Sequence, residues 1–379
     1  MSDSAKLEAT GLTATGNTGG LPRPRPAPGR RAAGVVGSEV ATPSGDRAGQ
    51  ATMRDVAEAA GVSLKTVSRV VNLEAGVRPE LQRRVEEAIA ALGFRRNVAA
   101  RSLRTGHRIG SIGLIVADLM NPFYSSVAKA VEGVAARHGD VIIIGSSGED
   151  ATRERELVTN LLHRPVDGLI VVPAGNDHRY LEPERRMGAQ IVFLDRGAGR
   201  IDADAVVLNN SGGATLGVAH LIRRGHRRIG FVGDSVGVRT AGERLDGYRD
   251  ALAAAGIPYD EELVRLGSPA VDMAETATRQ LLGLDNPATA FFAANNRQCI
   301  GVLRAIRSAG RPIAVVGFDD FELADLLPVP VTVIAYDPAE LGRAASELLF
   351  SRMAGDARPP QRIVIPTRLI QRGSGEIPV

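Results

Sequence analysis

The sequence predicts a small all-α helix-turn-helix unit followed by a much larger α/β region in two lobes, and three observations carry that prediction. Near the N-terminus, Arg54 to Asn72 read RDVAEAAGVSLKTVSRVVN, two short amphipathic helices joined by a glycine-bearing turn. From Ile109 onward, short apolar runs alternate with amphipathic stretches of helical length. The net charge of +3 over 379 residues is also unevenly spread, because residues 51–108 hold 11 Lys/Arg against 6 Asp/Glu whereas 109–379 hold 29 against 33. A chain of this length is expected to form two or three compact units.

Residues 1–50 contain no aromatic residue and are rich in Gly, Pro, Ala, Ser and Thr, so they are expected to be a disordered extension without assigned function. The first 20 residues lack an apolar signal core, and no run of 18 apolar residues suggests a membrane span, so cytoplasmic residence is expected. The unit at 51–95 begins with Thr52 and Asp55, spaced for a capping box that starts a helix at Met53. Val56, Ala59 and Ala60 give that helix an apolar face, and Gly61 supplies the left-handed residue that ends it. Ser63 is placed to cap the second helix, LKTVSRVV, in which Val67, Val70 and Val71 face inward. Lys65, Ser68 and Arg69 fall on the other side, with Lys65 and Arg69 at i, i+4 spacing. A helix pair held by Ala and Val, with hydroxyl and basic groups outward, suits the DNA major groove, and the local positive charge suits phosphate. Pro79 starts a third helix, PELQRRVEEAIAAL, which Gly93 and Phe94 close.

Beyond Ile109 the apolar runs include IGLIVAD, GLIVVPA, IVFLD, IGFVGD, TAFFAAN and IAVVGFDD, the signature of parallel sheets covered on both faces. The region is about twice the size of one doubly wound unit, so two lobes facing across a cleft are expected. Asp118, Asp195, Asp234, Asn295 and Asp319 each close such a run. Ligands in open α/β sheets bind outside the carboxyl ends of the strands, so these five residues predict a polar cleft. Catalysis is not expected there. The first strand is followed by DLMNPFY rather than a glycine-rich phosphate loop, and no Gly-Lys dipeptide occurs. The Gly pair in SGG at 211–213 is too little for a phosphate site. His138, His163, His178, His220 and His226 lack metal-ligand spacing, and there is no G-x-S-x-G elbow, so neither a metal nor a cofactor is expected. Cys299, the single cysteine, excludes an intramolecular disulfide and reads as a small buried residue.

The segments RDVAEAAGVSLKTVSRVVN, LGFRRN, NVAARSLR, IGLIVADLMNPFY and RLIQRGS occur in this order between Thr52 and Ser374. Together they resemble the LacI/GalR family of bacterial transcription regulators. The resemblance implies a regulator, expected to repress, with a periplasmic-binding-protein-like effector and dimerisation domain at 109–379 whose chain crosses between the lobes three times. It places lobe one at about 109–208 and 338–356, and lobe two at about 211–335 and 360–375. It makes 96–108 a hinge that folds on the operator, with Leu103 entering the minor groove between Arg101 and Arg104. It also implies that Leu64, Lys65 and Arg69 face base edges in double-stranded DNA, with Thr52, Ser63, Thr66, Ser68 and Asn72 positioning phosphates.

For the effector, the resemblance carries over Asn121, Phe123, Tyr124, Asp195, Arg196, Thr240, Arg244, Asn295 and Asp319. Arg244 has a competing reading as the partner of Asp246 or Glu243 on its own helix. The sequence departs from the family pattern at Asn296, Asn209, Gly242, Tyr336 and Arg78, the last weakening the cap of the third helix. A small polar effector follows, with a carbohydrate ranked ahead of a nucleoside or purine. A homodimer on a pseudo-palindromic operator is expected, because one helix-turn-helix reads half a site. A sugar-binding protein serving a transporter shares the core but has no use for residues 52–104.

Overall fold

The computed structural model describes residues 51–94, apart from 72, 73 and 75, and residues 109–379, apart from 164 and 165. The extension 1–50, Asn72 and the hinge residues Arg101, Leu103 and Arg104 therefore lie outside the described residues. The chain divides into two compact units on either side of Arg95.

In the first unit, α1 (Met53–Ala60), α2 (Leu64–Val71) and α3 (Pro79–Leu92) surround a small core of Val56, Ala60, Val67, Val70, Val85 and Ala88. The capping box forms as expected. Asp55 N donates to Thr52 Oγ1 at 3.3 Å, and Thr52 N donates back to Asp55 Oδ2 at 2.7 Å. Gly61, at φ 60°, turns the chain out of α1. Two residues later Ser63 Oγ accepts from Thr66 N at 3.1 Å and opens α2. Arg78 caps α3 with no side-chain hydrogen bond, as its chemistry predicts, and Pro79 supplies the preset first residue instead.

The second unit begins with β1 (Ser111–Val116), α4 (Pro122–Arg137), β2 (Val141–Ser146), α5 (Ala151–Leu162), β3 (Gly168–Val171), α6 (Glu182–Arg186), β4 (Gln190–Asp195) and β5 (Ala205–Leu208). It continues through α7 (Asn210–Arg223), β6 (Ile229–Asp234), α8 (Arg239–Ala254), β7 (Val264–Gly267), α9 (Val271–Leu282), β8 (Ala290–Ala293), α10 (Asn296–Ala309) and β9 (Ala314–Phe318). It ends with β10 (Thr332–Ala335), α11 (Pro338–Met353), β11 (Arg362–Ile365) and β12 (Arg368–Ile370). One sheet runs β11-β5-β4-β3-β1-β2, all parallel, and the other runs β12-β10-β9-β8-β6-β7, parallel but for the antiparallel β12. Strands β1, β3, β5, β8, β9 and β10 are buried along their whole length, which is why they read as unbroken apolar runs. Cys299 is fully buried beside Gly317, and burial pushes its thiol up to about 12.

The Gly-Gly pair at 212–213 opens α7, and Gly213 serves packing. A Cβ on Gly213 would lie 2.9 Å from both Phe318 and Ile334, so the bare backbone lets the helix lie against the second sheet.

The expected boundaries of lobe two need correction. Residues 362–365, expected in lobe two, instead form β11, which pairs with β5 of the first sheet, Ile363 opposite Val206, and only Arg368–Ile370 joins the second. Pro366 has no N–H to continue a ladder and splits RIVIPTRLI between the sheets. The approach to β11 is fixed by a buried ion pair. Arg352 donates to Asp204 from Nε at 2.7 Å and Nη2 at 2.9 Å, and to the carbonyls of Asp356 and Pro359 at 2.9 and 2.8 Å. Asp204 also accepts from Gln361 N at 2.7 Å, which sets the chain beside β5. Arg352→Ala leaves the buried Asp204 carboxylate without its charged partner and is expected to cost about 3–5 kcal/mol, read by denaturant unfolding of the wild type and variant.

Candidate functional site

The carboxyl ends of the two sheets enclose a cavity of about 370 Å³, in the range of small-molecule sites. All five residues that close the apolar runs border it: Asp118 and Asp195 from the first lobe, Asp234, Asn295 and Asp319 from the second. The six remaining residues expected at an effector site also border it. Asn121, Phe123 and Tyr124 come from the start of α4, Arg196 follows β4, and Thr240 and Arg244 belong to α8. Two strand-ending aspartates, one per lobe, have left-handed backbones, Asp195 at φ 65° and Asp319 at φ 70°. Such conformations persist where surrounding structure enforces them, and they cluster at ligand sites.

Arg244 is buried and held by four groups. Nε donates to Asn210 Oδ1 at 2.9 Å, Nη1 donates to the Ala294 carbonyl at 2.5 Å, Nη2 lies 3.6 Å from Asp319 Oδ1, and the guanidinium stacks on Phe318 at 3.8 Å. The competing partners are engaged elsewhere, Glu243 with Arg239 and Asp246 with Arg249. Tyr336 Oη donates to Asp319 Oδ1 at 2.8 Å. Asn295 caps α10 by accepting from Gln298 N at 2.9 Å, and its amide donates to Asp234 at 2.7 Å. Asn121 caps α4 and also accepts from Asn296 Nδ2 at 3.0 Å across the cleft. A second cross-lobe link joins Arg297 to Asp118 at 2.8 Å. Sequence reasoning missed Glu149, Arg297 and Gln298 and did not foresee the hydrogen bond from Tyr336. Glu149 stands three residues beyond β2 and Arg297 four beyond β8, so the strand-end signal skips both.

Burial raises Asp195 to about 6, with Arg196 and Arg244 opposing the shift and Asp319 and Glu149 reinforcing it. Burial raises Asp234 too. A carboxyl whose folded pKa exceeds its unfolded value of about 3.9 binds extra protons when folded, so its contribution to stability falls as pH rises from about 4 to about 6. That loss amounts to about 2–3 kcal/mol. The stability of the ligand-free wild type relative to Asp195→Asn is expected to decline across that window and flatten above it. Parallel pH profiles for the two proteins would refute the assignment.

In the first unit, Thr52, Ser63, Leu64 and Lys65 are exposed, while Thr66, Ser68 and Arg69 are half-buried. Val67 and Val70 are buried beneath them, so α2 turns its polar and basic side outward. Arg69 Nε lies 3.6 Å from Glu74, with its side chain 37% exposed. Among the described residues no helix is long and apolar enough to cross a membrane.

A helix-turn-helix head joined to a two-lobed core with a polar cleft defines a ligand-responsive DNA-binding regulator. The comparisons agree: residues 52–97 match the model of bacterial regulatory proteins of the lacI family, and 218–375 match a periplasmic binding protein-like domain. The chain belongs to the LacI family of bacterial regulatory proteins. It is 33% identical over 308 residues to the transcriptional regulator GalS of Salmonella typhimurium, covering 80% of this chain and 90% of that one. Among solved structures it resembles the regulator CelR in complex with cellobiose, at 30% identity and a TM-score of 0.65, covering 86% of this chain and 100% of that one. It also resembles the lac repressor dimer bound to operator and an anti-inducer, at 28% identity and a TM-score of 0.74, covering 86% and 99%.

Proposed function

We propose that this protein is a cytoplasmic, sequence-specific transcriptional regulator that represses as a homodimer and whose operator affinity is set by a sugar held between the lobes. The observation that carries this reading is the convergence of donors and acceptors from both lobes on one cavity, in a chain whose other unit turns a basic helix outward. Asp195 and Asp319 offer carboxylate acceptors to vicinal hydroxyls, and Phe123, Tyr124 and Tyr336 offer ring faces or edges to a sugar's C–H surface. Leaving such buried polar groups unpaired costs about 1–3 kcal/mol each, which gives the site its selectivity for a matching ligand. The cellobiose complex of the related CelR supports a sugar over a purine, and the operator-bound lac repressor dimer supports two copies reading a pseudo-palindrome. A sugar that bridges Asp195 and Asp319 acts on both lobes at once, so its binding energy biases their relative position, and the hinge at 96–108 transmits the change to the DNA-reading unit.

Genome-wide capture of DNA fragments by the purified full chain, with and without a panel of neutral sugars, tests this function. The expected result is one shared pseudo-palindrome whose retention one sugar changes. Fragments without a common motif, under every condition, would overturn it.

A further inference from the structure

We propose that Glu149 is a built-in anion that occupies the guanidinium of Arg196, setting the cleft to accept uncharged ligands and to reject phosphorylated or acidic ones. The inference rests on the cleft being the effector site. Arg196 is only 5% exposed, and its two terminal nitrogens donate to the two Glu149 carboxylate oxygens at 2.5 and 2.7 Å, the bidentate geometry with which arginine takes phosphates and carboxylates. Nη1 also donates to the Pro173 carbonyl at 2.7 Å, and the buried Nε has no hydrogen-bond partner, its nearest acid being Asp195 at 3.6 Å. Glu149 is the more exposed member of the pair, and both border the cavity.

The backbone adds a second line of argument. Gly148 at φ 67° and Glu149 at φ 63° are consecutive left-handed residues after β2. Glycine adopts this conformation freely, whereas a glutamate there is strained, a cost tolerated where the side chain has work to do. The other two guanidiniums at the cavity are also engaged, Arg244 with Asp319, Asn210 and the Ala294 carbonyl, and Arg297 with Asp118. Five carboxylates therefore face three cations that each already have an acid partner. Removing Glu149 alone frees a preformed fork for an external anion.

The test uses purified full chain and inorganic sulfate, with sodium chloride at matched ionic strength as the control. Glu149→Gly also relieves the left-handed backbone, and Glu149→Gln keeps the side chain's size without its charge. Wild type is expected to show no saturable sulfate effect in thermal shift or calorimetry. Both variants should gain saturable sulfate binding, tighter than wild type by about tenfold or more, and the gain should vanish in the Glu149→Gly/Arg196→Ala double variant. Variants that match wild type, or a gain that survives Arg196→Ala, would overturn the assignment. Galactose, ribose and cellobiose titrated into wild type test the sugar reading separately: if none binds while Glu149→Gly gains sulfate, that reading fails and the role of Glu149 stands.

Discussion

Arg69→Ala is expected to erase operator preference while leaving weak, salt-sensitive binding to any DNA. Arg69 lies on the outward side of α2, opposite Val67 and Val70, and its planar guanidinium can donate two hydrogen bonds to a guanine. Each such pair is worth about 1–3 kcal/mol of discrimination, and a dimer uses it in both half-sites, so the combined loss is about 2–6 kcal/mol, or roughly 30-fold to 10⁴-fold. The phosphate contacts proposed for Thr52, Ser63, Thr66 and Ser68 do not depend on Arg69, so residual binding should fall steeply with salt. The Glu74 carboxylate lies 3.6 Å from Arg69 Nε. Titrating operator and scrambled duplexes at several salt concentrations gives the answer. An unchanged ratio of the two affinities would show that α2 is not the reading helix.

Asp319→Asn is expected to uncouple the protein from the proposed sugar effector without loosening its hold on DNA. The substitution keeps the side chain's shape, and asparagine tolerates the φ of 70° at this position. It removes the charge that faces Arg244 and exchanges one of the two carboxylate oxygens proposed to accept from sugar hydroxyls for an amide NH2, while the remaining oxygen can still accept from Tyr336 Oη. A hydrogen bond to a charged group contributes about 1.5–3 kcal/mol, so sugar affinity should fall by roughly 10- to 150-fold. Calorimetry with the sugar, beside an operator titration in its absence, separates the two effects. Full sugar affinity in the variant would move the effector out of this cleft.

Local chemistry explains which features could be read from the sequence. Thr52, Asp55, Gly61 and Ser63 announce α1 and α2 because caps and left-handed turns are settled within four residues. Asp195 and Asp319 announce the cleft because parallel strands deliver their last residues to a common edge. The destination of β11 was not readable, since it depends on Arg352 meeting Asp204 from 148 positions away and on Pro366 dividing one apolar run. Glu149 escaped for a related reason: its partner Arg196 is 47 positions distant, and a glutamate in a polar turn looks like any solvated charge.

The backbone passes between the lobes three times, after β5, after β10 and at Pro366 between β11 and β12. A single linker would let the lobes wander and charge the ligand the entropy of collecting them. Three parallel tethers act as a stiff flexure, allowing bend and twist but little else. The facing side chains are then held at high effective concentration even when nothing is bound. The proposed effector would therefore need only to tilt a joint that the covalent chain has already assembled.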